Sequence, residues 1–327
     1  MNENRPDRPT DDRRFETMDL RDPFGDVPFG VELRPLRFSD VGLPLGLFLV
    51  TVFTTLWAGA YETNTVPSLG AWQFLMNDPA VLWKGVPFAA TLLGILVTHE
   101  FGHYVLSRLH RVPATLPLFI PGPPHFIGTF GAIIRMRGPI LSRKALFDIG
   151  VAGPIAGFVV SVVALVVGLR LSNVVLVNQV EYGIHVGAPL LFDFVSWVTM
   201  DPIPPGYAVS LHPIAFAAWL GLFITSLNLL PIGQLDGGHV AYALWGDRQR
   251  TVALATIPFL LMLGLVNVFV GGWPGWFIWA ALPGLIGLAH PPVMDPEAAL
   301  GRTRIWVGRS TVAIFVLSFT PVPFSVG

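Results

Sequence analysis

Long apolar runs alternate with short polar connections rich in Pro and Gly from about residue 41 to the end of the chain. The first two, 43–60 and 86–98, the latter continuing through His99 to Leu106, each approach the ~20 residues needed to cross a bilayer. Further spans are predicted at 145–169, 213–230, 252–270, 273–288 and 305–319, about seven in all, the pair around Gly271-Gly272 reading as a hairpin. Between the second and third spans, residues 113–139 are full of Pro and Gly but carry β-favouring stretches at 115–120 and 130–136, which predict a strand or hairpin rather than another helix. The expected fold is an all-α integral membrane protein of about seven transmembrane helices with a small membrane-associated β-hairpin or strand.

Residues 1–40 break this pattern. They are rich in Asp, Arg and Pro with neither helical nor strand periodicity, and are expected to form a disordered polar tail preceding a single membrane domain over 41–327. They also lack a short basic region followed by an apolar run, so no signal cleavage is expected.

Composition agrees with lipid as the solvent: 53% of residues are hydrophobic and 13% charged, with 24 Phe and 10 Trp, while Lys84 and Lys144 are the lysines. A formal net charge of -1 offers no basic surplus for a nucleic-acid backbone. Without Cys, disulfides and thiolate metal sites are excluded, so any metal must be held by His and carboxylates. Basic residues gather after the second span (Arg108, Arg111, Arg135, Arg137, Arg143, Lys144) and after Asp236 (Arg248, Arg250). Those loops are expected on the cytoplasmic side, with the N-terminus, while the loop 172–211, which has no Lys or Arg, faces the other way.

His99-Glu100-Phe101-Gly102-His103 is an HExxH pattern. On a helix, the four-residue spacing sets both imidazoles on one face, one turn apart, where they can share one zinc. Glu100, beside the first ligand, can take a proton from the attacking water and deliver it to the leaving amine. A bound metal lowers the pKa of water toward roughly 7 from near 16. The motif ends an apolar helix, where a central charge costs about 2.5–3.5 kcal/mol unless it faces a cavity, a partner or a metal. The alternative is a His-Glu-His hydrogen-bond cluster that ties helices together.

A catalytic zinc takes three protein ligands and keeps one open position. Asp236 is the candidate third ligand, in the stretch Asn228-Leu-Leu-Pro-Ile-Gly-Gln-Leu-Asp236-Gly-Gly-His239, where an apolar helix breaks at Pro231 and Gly233. Irregular backbone at membrane depth is tolerated where it lines a cavity or is buried in protein, and Gly237 and Gly238 permit close approach to the HExxH helix. The competing reading is that Asp236 caps the following helix. His239 is a rival ligand, ranked behind Asp236 as a supporting residue. Asn228 is either a helix-helix hydrogen bond or a donor to the oxyanion or substrate backbone. His110, His125, His185, His212 and His290 read as ordinary polar residues in or near loops.

Together, His99-Glu100-Phe101-Gly102-His103 and Asn228-x-x-Pro231-x-x-x-Leu235-Asp236-Gly237 resemble the site-2 protease family of intramembrane zinc metalloproteases. The likeness covers most of residues 80–250, the expected catalytic core, including Gly128-Thr129-Phe130-Gly131 and Phe147-Asp148-Ile149-Gly150-Val151-Ala152-Gly153-Pro154, and is nearest the family's bacterial and plastid branches. It implies one zinc per chain on His99, His103 and Asp236, Glu100 as general base, Asn228 at the substrate or oxyanion, and Gly128 and Gly131 in a loop beside extended substrate. It also implies regulated cleavage of single-span or other membrane-protein substrates, in a bacterial inner membrane. The loops, at about 40 residues at most, leave no room for the PDZ domain that many bacterial members carry. The alternatives from other classes are a divalent-metal transporter using the same side chains as a transient site, and a non-catalytic relative that binds membrane helices.

Overall fold

The computed structural model describes residues 38–62, 75–138, 140–177, 184–288, 290–291 and 293–326. The expected disordered tail lies almost wholly outside these residues. In chain order the elements are α1 (Phe38–Glu62), a 3-10 helix (Pro79–Gly85), α2 (Val86–Leu109), β1 (Leu118–Pro121), β2 (Thr129–Ile133), α3 (Arg143–Arg170), β3 (Asn173–Leu176), β4 (Ile184–Val186), α4 (Leu190–Thr199), β5 (Tyr207–Ser210), α5 (Pro213–Asn228), α6 (Asp236–Trp245), α7 (Arg248–Phe269), α8 (Trp276–Ala281), α9 (Pro283–Ile286), α10 (Gly301–Ser318) and β6 (Phe324–Val326).

Four stretches, Asp40–Glu62, Pro79–Leu109, Arg143–Arg170 and Arg248–Phe269, are helical over enough apolar residues to cross a bilayer. The expected count of seven is not met among the described residues. The segment 213–230 forms a helix of 16 residues that stops at Asn228. The segment 273–288 is divided between two short helices, with Leu282 and Pro283 at the joint. The segment 305–319 lies in α10, 18 residues long, whose Arg302, Arg304 and Arg309 keep it from being a continuous apolar run.

The hairpin is present where the β-favouring stretches predict it. β1 and β2 pair antiparallel, Leu118 with Ile133 and Phe119 with Ala132, with an irregularity between Phe119 and Pro121. It is pinned to α1 by Thr54 Oγ1, which donates to the Gly128 carbonyl at 2.6 Å, and by edge-on contact of the Phe48 and Phe119 rings at 4.9 Å. Two further two-stranded pairs, β3 with β5 and β4 with β6, join the connections on the side away from the basic loops.

α2 explains how the site is positioned. Phe88, Leu92, Ile95 and Leu96 are buried, and the same stripe continues one and two turns further as His99, His103 and Ser107. Phe101, Val105 and Leu109, on the opposite face, are each more than two-fifths exposed, as a lipid-facing surface requires. The imidazoles therefore enter the interior by helical periodicity alone. α3 receives them with Gly150, Gly153, Gly157 and Ser161, a small-residue face at three- and four-residue spacing that lets neighbouring helices approach closely.

Candidate metal centre

His99 Nε2 and His103 Nε2 lie 3.1 Å apart, and Asp236 Oδ2 lies 3.2 Å from the first and 3.3 Å from the second. His99 is 4% and His103 9% exposed. His103 Nδ1 lies 2.7 Å from the Ile149 carbonyl. A carbonyl only accepts, so His103 carries its proton on Nδ1 and, when neutral, presents a bare Nε2 to Asp236. Two lone pairs facing each other at 3.3 Å need a positive charge between them. A tetrahedron with edges near 3.2 Å has its centre about 2.0 Å from each corner, the distance zinc takes from His nitrogen and carboxylate oxygen. The three side chains form the His-His-Asp group that could hold a metal ion, and zinc fits the donor set.

Asp236 reaches this point because the chain between α5 and α6 folds tightly on itself. A Cβ on Gly237 would stand 2.0 Å from the Leu229 carbonyl oxygen, and one on Gly238 would stand 2.3 Å from that of Gly233. Glycine is required at both. Asp236 does not cap: the N-cap of α6 is Leu235, without a side-chain cap bond, and the carboxylate turns to the two imidazoles instead. The same fold-back carries Asn228 to the site, its Nδ2 3.4 Å from His99 Nε2.

α3 closes the site from behind. A Cβ on Gly153 would lie 2.1 Å from His103 Nε2, and one on Gly157 would lie 3.2 Å from His99 Nδ1. Pro154 removes the backbone donor that the Gly150 carbonyl would otherwise meet, loosening the helix next to the Ile149 carbonyl that holds His103. Neither glycine is marked by charge or polarity in the sequence. Their spacing beside Pro154 is the only local signal.

A cavity of about 190 Å³ opens on the three donors, and Glu100, Asn228, Ser107, His239 and the β2 residues Ala132 and Ile133 line it. Glu100 is 6% exposed and is not one of the three donors, so its carboxylate is free to hold or pass a proton. His239 is not part of the donor group either. Gly131, with φ +98° and open space around its Cα, sits in the lining strand, whereas Gly128, with φ +74°, packs against α1, where a Cβ would meet the Thr54 carbonyl oxygen at 2.4 Å. Of the two, Gly128 therefore has a packing role, which the sequence did not distinguish from Gly131.

Two histidines read as ordinary polar residues are built into the interior. His110 Nε2 lies 2.9 Å from Asp148 Oδ2, and Arg304 grips the same carboxylate with Nε and Nη2 at 2.8 and 2.7 Å. His290 lies against His239, Nε2 to Nδ1 2.7 Å, and its ring stacks on Tyr242.

Residues 87–270, more than half of the chain, match the profile of Peptidase family M50. Among curated proteins, the chain is similar to the probable zinc metalloprotease EGY2, chloroplastic, of Arabidopsis thaliana (30% identical over 264 residues, 76% of this chain and 45% of the relative). It is also similar to the probable zinc metalloprotease EGY1, chloroplastic, of the same plant (38% over 253 residues, 71% and 44%). That of Oryza sativa subsp. japonica is 32% identical over 260 residues (71% and 43%). The chain spans less than half the length of these relatives. No solved structure matches it significantly.

Proposed function

The chain belongs to peptidase family M50, and on that footing we propose that it is an intramembrane zinc metalloendopeptidase that hydrolyses peptide bonds in or near the transmembrane segments of membrane-protein substrates. One observation carries the reading: three donors from two helices separated by more than a hundred residues converge in a buried site, with a fourth ionisable group, Glu100, in the same cavity.

His99, His103 and Asp236 hold the metal, which supplies Lewis acidity and a nucleophilic water at neutral pH. Glu100 takes the proton of the attacking water and passes it to the leaving amine nitrogen. Asn228, beside His99, offers its amide N–H to the developing oxyanion or to the substrate backbone. Ile149 and the glycines of α3 hold the imidazoles at the required angle.

The chemistry also limits the form of the substrate. In a helix each main-chain carbonyl is hydrogen-bonded to the amide four residues on and shielded by side chains, so it is not presented for attack. The substrate must unwind before it reaches the metal. An unwound segment can then pair with the edge of β2, whose Ala132 and Ile133, next to Gly131, line the site. Substrate spans containing Gly or Pro, which unwind at lower cost, are preferred.

The active site and N-terminal side are assigned to the cytoplasmic face from the basic residues around Arg108, Arg137, Arg143 and Arg248. A bacterial inner membrane, expected from the sequence, draws no support from relatives named chloroplastic. Substrates are membrane proteins cut in the course of regulated proteolysis.

The test compares wild type with Glu100→Gln, in detergent, for bound zinc and for cleavage of a labelled single-span substrate. Zinc in both and cleavage in wild type alone is the expected result. Cleavage retained in Glu100→Gln would overturn Glu100 as the base, and metal flux through wild type without cleavage would overturn the peptidase reading.

A further inference from the structure

Besides the three donors, Glu100 and Asn228, the lining of the cavity includes Ser107 and His239, two polar side chains each with a hydrogen-bonding position open. Ser107 is 1% exposed, lies one turn beyond His103 on the buried stripe of α2 and lines the cavity, yet its Oγ has no hydrogen-bond partner. Other buried hydroxyls of the bundle bond the carbonyl four residues back, as Ser161 does to Gly157 and Thr225 to Gly221, each at 2.8 Å. A buried hydroxyl left unanswered costs about 1–3 kcal/mol. Among the described residues Ser107 and Ser318 are the buried hydroxyls without a partner, and Ser107 is the one that borders the site.

His239 is the second. Its Nδ1 meets His290 Nε2 at 2.7 Å, and His290 Nδ1 in turn meets the carbonyl of Pro291. Because that carbonyl only accepts, His290 carries its proton on Nδ1, and a neutral His290 then accepts at Nε2. His239 must therefore donate from Nδ1, which leaves its Nε2 a bare acceptor. Burial, and then the neighbouring His290, holds His239 down to about 3, so the neutral form prevails. Burial lowers His290 as well. His290 is held by two contacts, Gln249 Oε1 accepting its backbone N–H at 3.2 Å and Tyr242 stacking on the ring with centroids 4.9 Å apart, and Gln249 is itself anchored by donating from Nε2 to the Leu288 carbonyl at 3.1 Å. Such support for one tautomer is informative because the acceptor it exposes belongs to a cavity-lining ring.

An extended peptide in apolar surroundings presents N–H and C=O groups along both edges, and each must be answered. β2 can answer one edge. We propose that Ser107 and His239 answer the other, forming a main-chain subsite in which His239 Nε2 accepts a substrate N–H and the Ser107 hydroxyl bonds a neighbouring main-chain polar group. His290 acts through His239 as a positioning residue. The ligand class is an unwound peptide segment, so this inference rests on the proteolytic reading above.

The experiment uses the full chain, loaded with zinc, in the Glu100→Gln background, and follows binding of a labelled substrate peptide by fluorescence anisotropy. Ser107→Ala and His239→Phe are each expected to weaken binding about tenfold, equivalent to 1.4 kcal/mol, with one zinc per chain retained. A series of peptides, each with one backbone N–H replaced by an ester oxygen, separates recognition from support. One ester should cost the parent about tenfold and cost His239→Phe nothing further, while His239→Gln, which keeps an acceptor at the Nε2 position, regains sensitivity to it. Equal ester sensitivity in parent and His239→Phe would overturn the proposal, as would unchanged peptide binding in both Ser107→Ala and His239→Phe. If wild type binds the peptide with zinc loaded yet does not cleave it, the proteolytic reading fails, a result distinct from either of these.

Discussion

His103 donates its Nδ1–H to the Ile149 carbonyl, 2.7 Å away on α3, and so turns a bare Nε2 toward His99 and Asp236. The metal centre therefore depends on the contact between α2 and α3 as much as on the HExxH turn itself. A hydrogen bond on the far nitrogen fixes both the tautomer and the plane of a ligating imidazole.

Gly153 tests that dependence. A methyl group there would stand 2.1 Å from His103 Nε2 and force the ring away from Asp236, whereas Gly94, on the same helix as His103, has nothing within 4 Å of an added Cβ. Gly153→Ala is expected to lower zinc affinity about 10- to 100-fold, the range for lost support of a metal ligand, and Gly94→Ala to leave it unchanged. Competition with a chelating dye reads both. Equal zinc affinity in the two variants would show that α3 does not orient the ligand.

Asn228 supports a second prediction. Its Nδ2 lies 3.4 Å from His99 Nε2, too long for a strong bond in this state, and it lines the reaction cavity. If it serves the oxyanion, Asn228→Ala should reduce kcat about 10²- to 10³-fold with KM little changed and one zinc per chain retained. Loss of zinc with kcat per zinc-loaded molecule unchanged would make it a support for His99 instead.

How much of this was readable beforehand follows from the physics of each part. HExxH and Asp236 stand out because charged side chains at membrane depth need a reason, and the hairpin stands out because its β-favouring stretches are bounded by Pro and Gly. Gly153 and Gly157 do not stand out, since a glycine in an apolar helix says nothing of what presses against it until α2 is in place. His290 and Arg304 were invisible as partners because they lie 51 and 156 residues from His239 and Asp148. The count of spans failed where hydropathy alone decides, at α8 and α9, which divide at Leu282-Pro283, and at α10 with its arginines.

Gly128 and Gly131 share a motif but not a role. Gly128 has a left-handed φ of +74° and sits against the backbone of Thr54, while Gly131, at φ +98°, has open space around it in the cavity-lining strand. Gly128→Ala is expected to destabilise the fold by about 1–3 kcal/mol and to loosen the hairpin from α1. Gly131→Ala pays only the backbone term and should act mainly on substrate, raising KM. Thermal unfolding and cleavage kinetics on both variants separate the two, and matching effects on stability and KM would contradict the distinction.

Arg304 lies beyond the family match, yet its guanidinium makes two bonds to Asp148, one residue before the carbonyl that holds His103. Hydrogen bonds to charged groups contribute about 1.5–3 kcal/mol each, and the partial exposure of Arg304 reduces that. Arg304→Met should therefore cost about 2 kcal/mol of stability, seen as a lower unfolding midpoint in mild detergent. His110, which also meets Asp148, should keep zinc binding within a few-fold of wild type. In the double variant with Asp148→Asn the losses should be less than additive, since both changes break one network. Full additivity would show that the α10 contact and the α2–α3 contact are independent, and that α10 supports the bundle without reaching the metal centre.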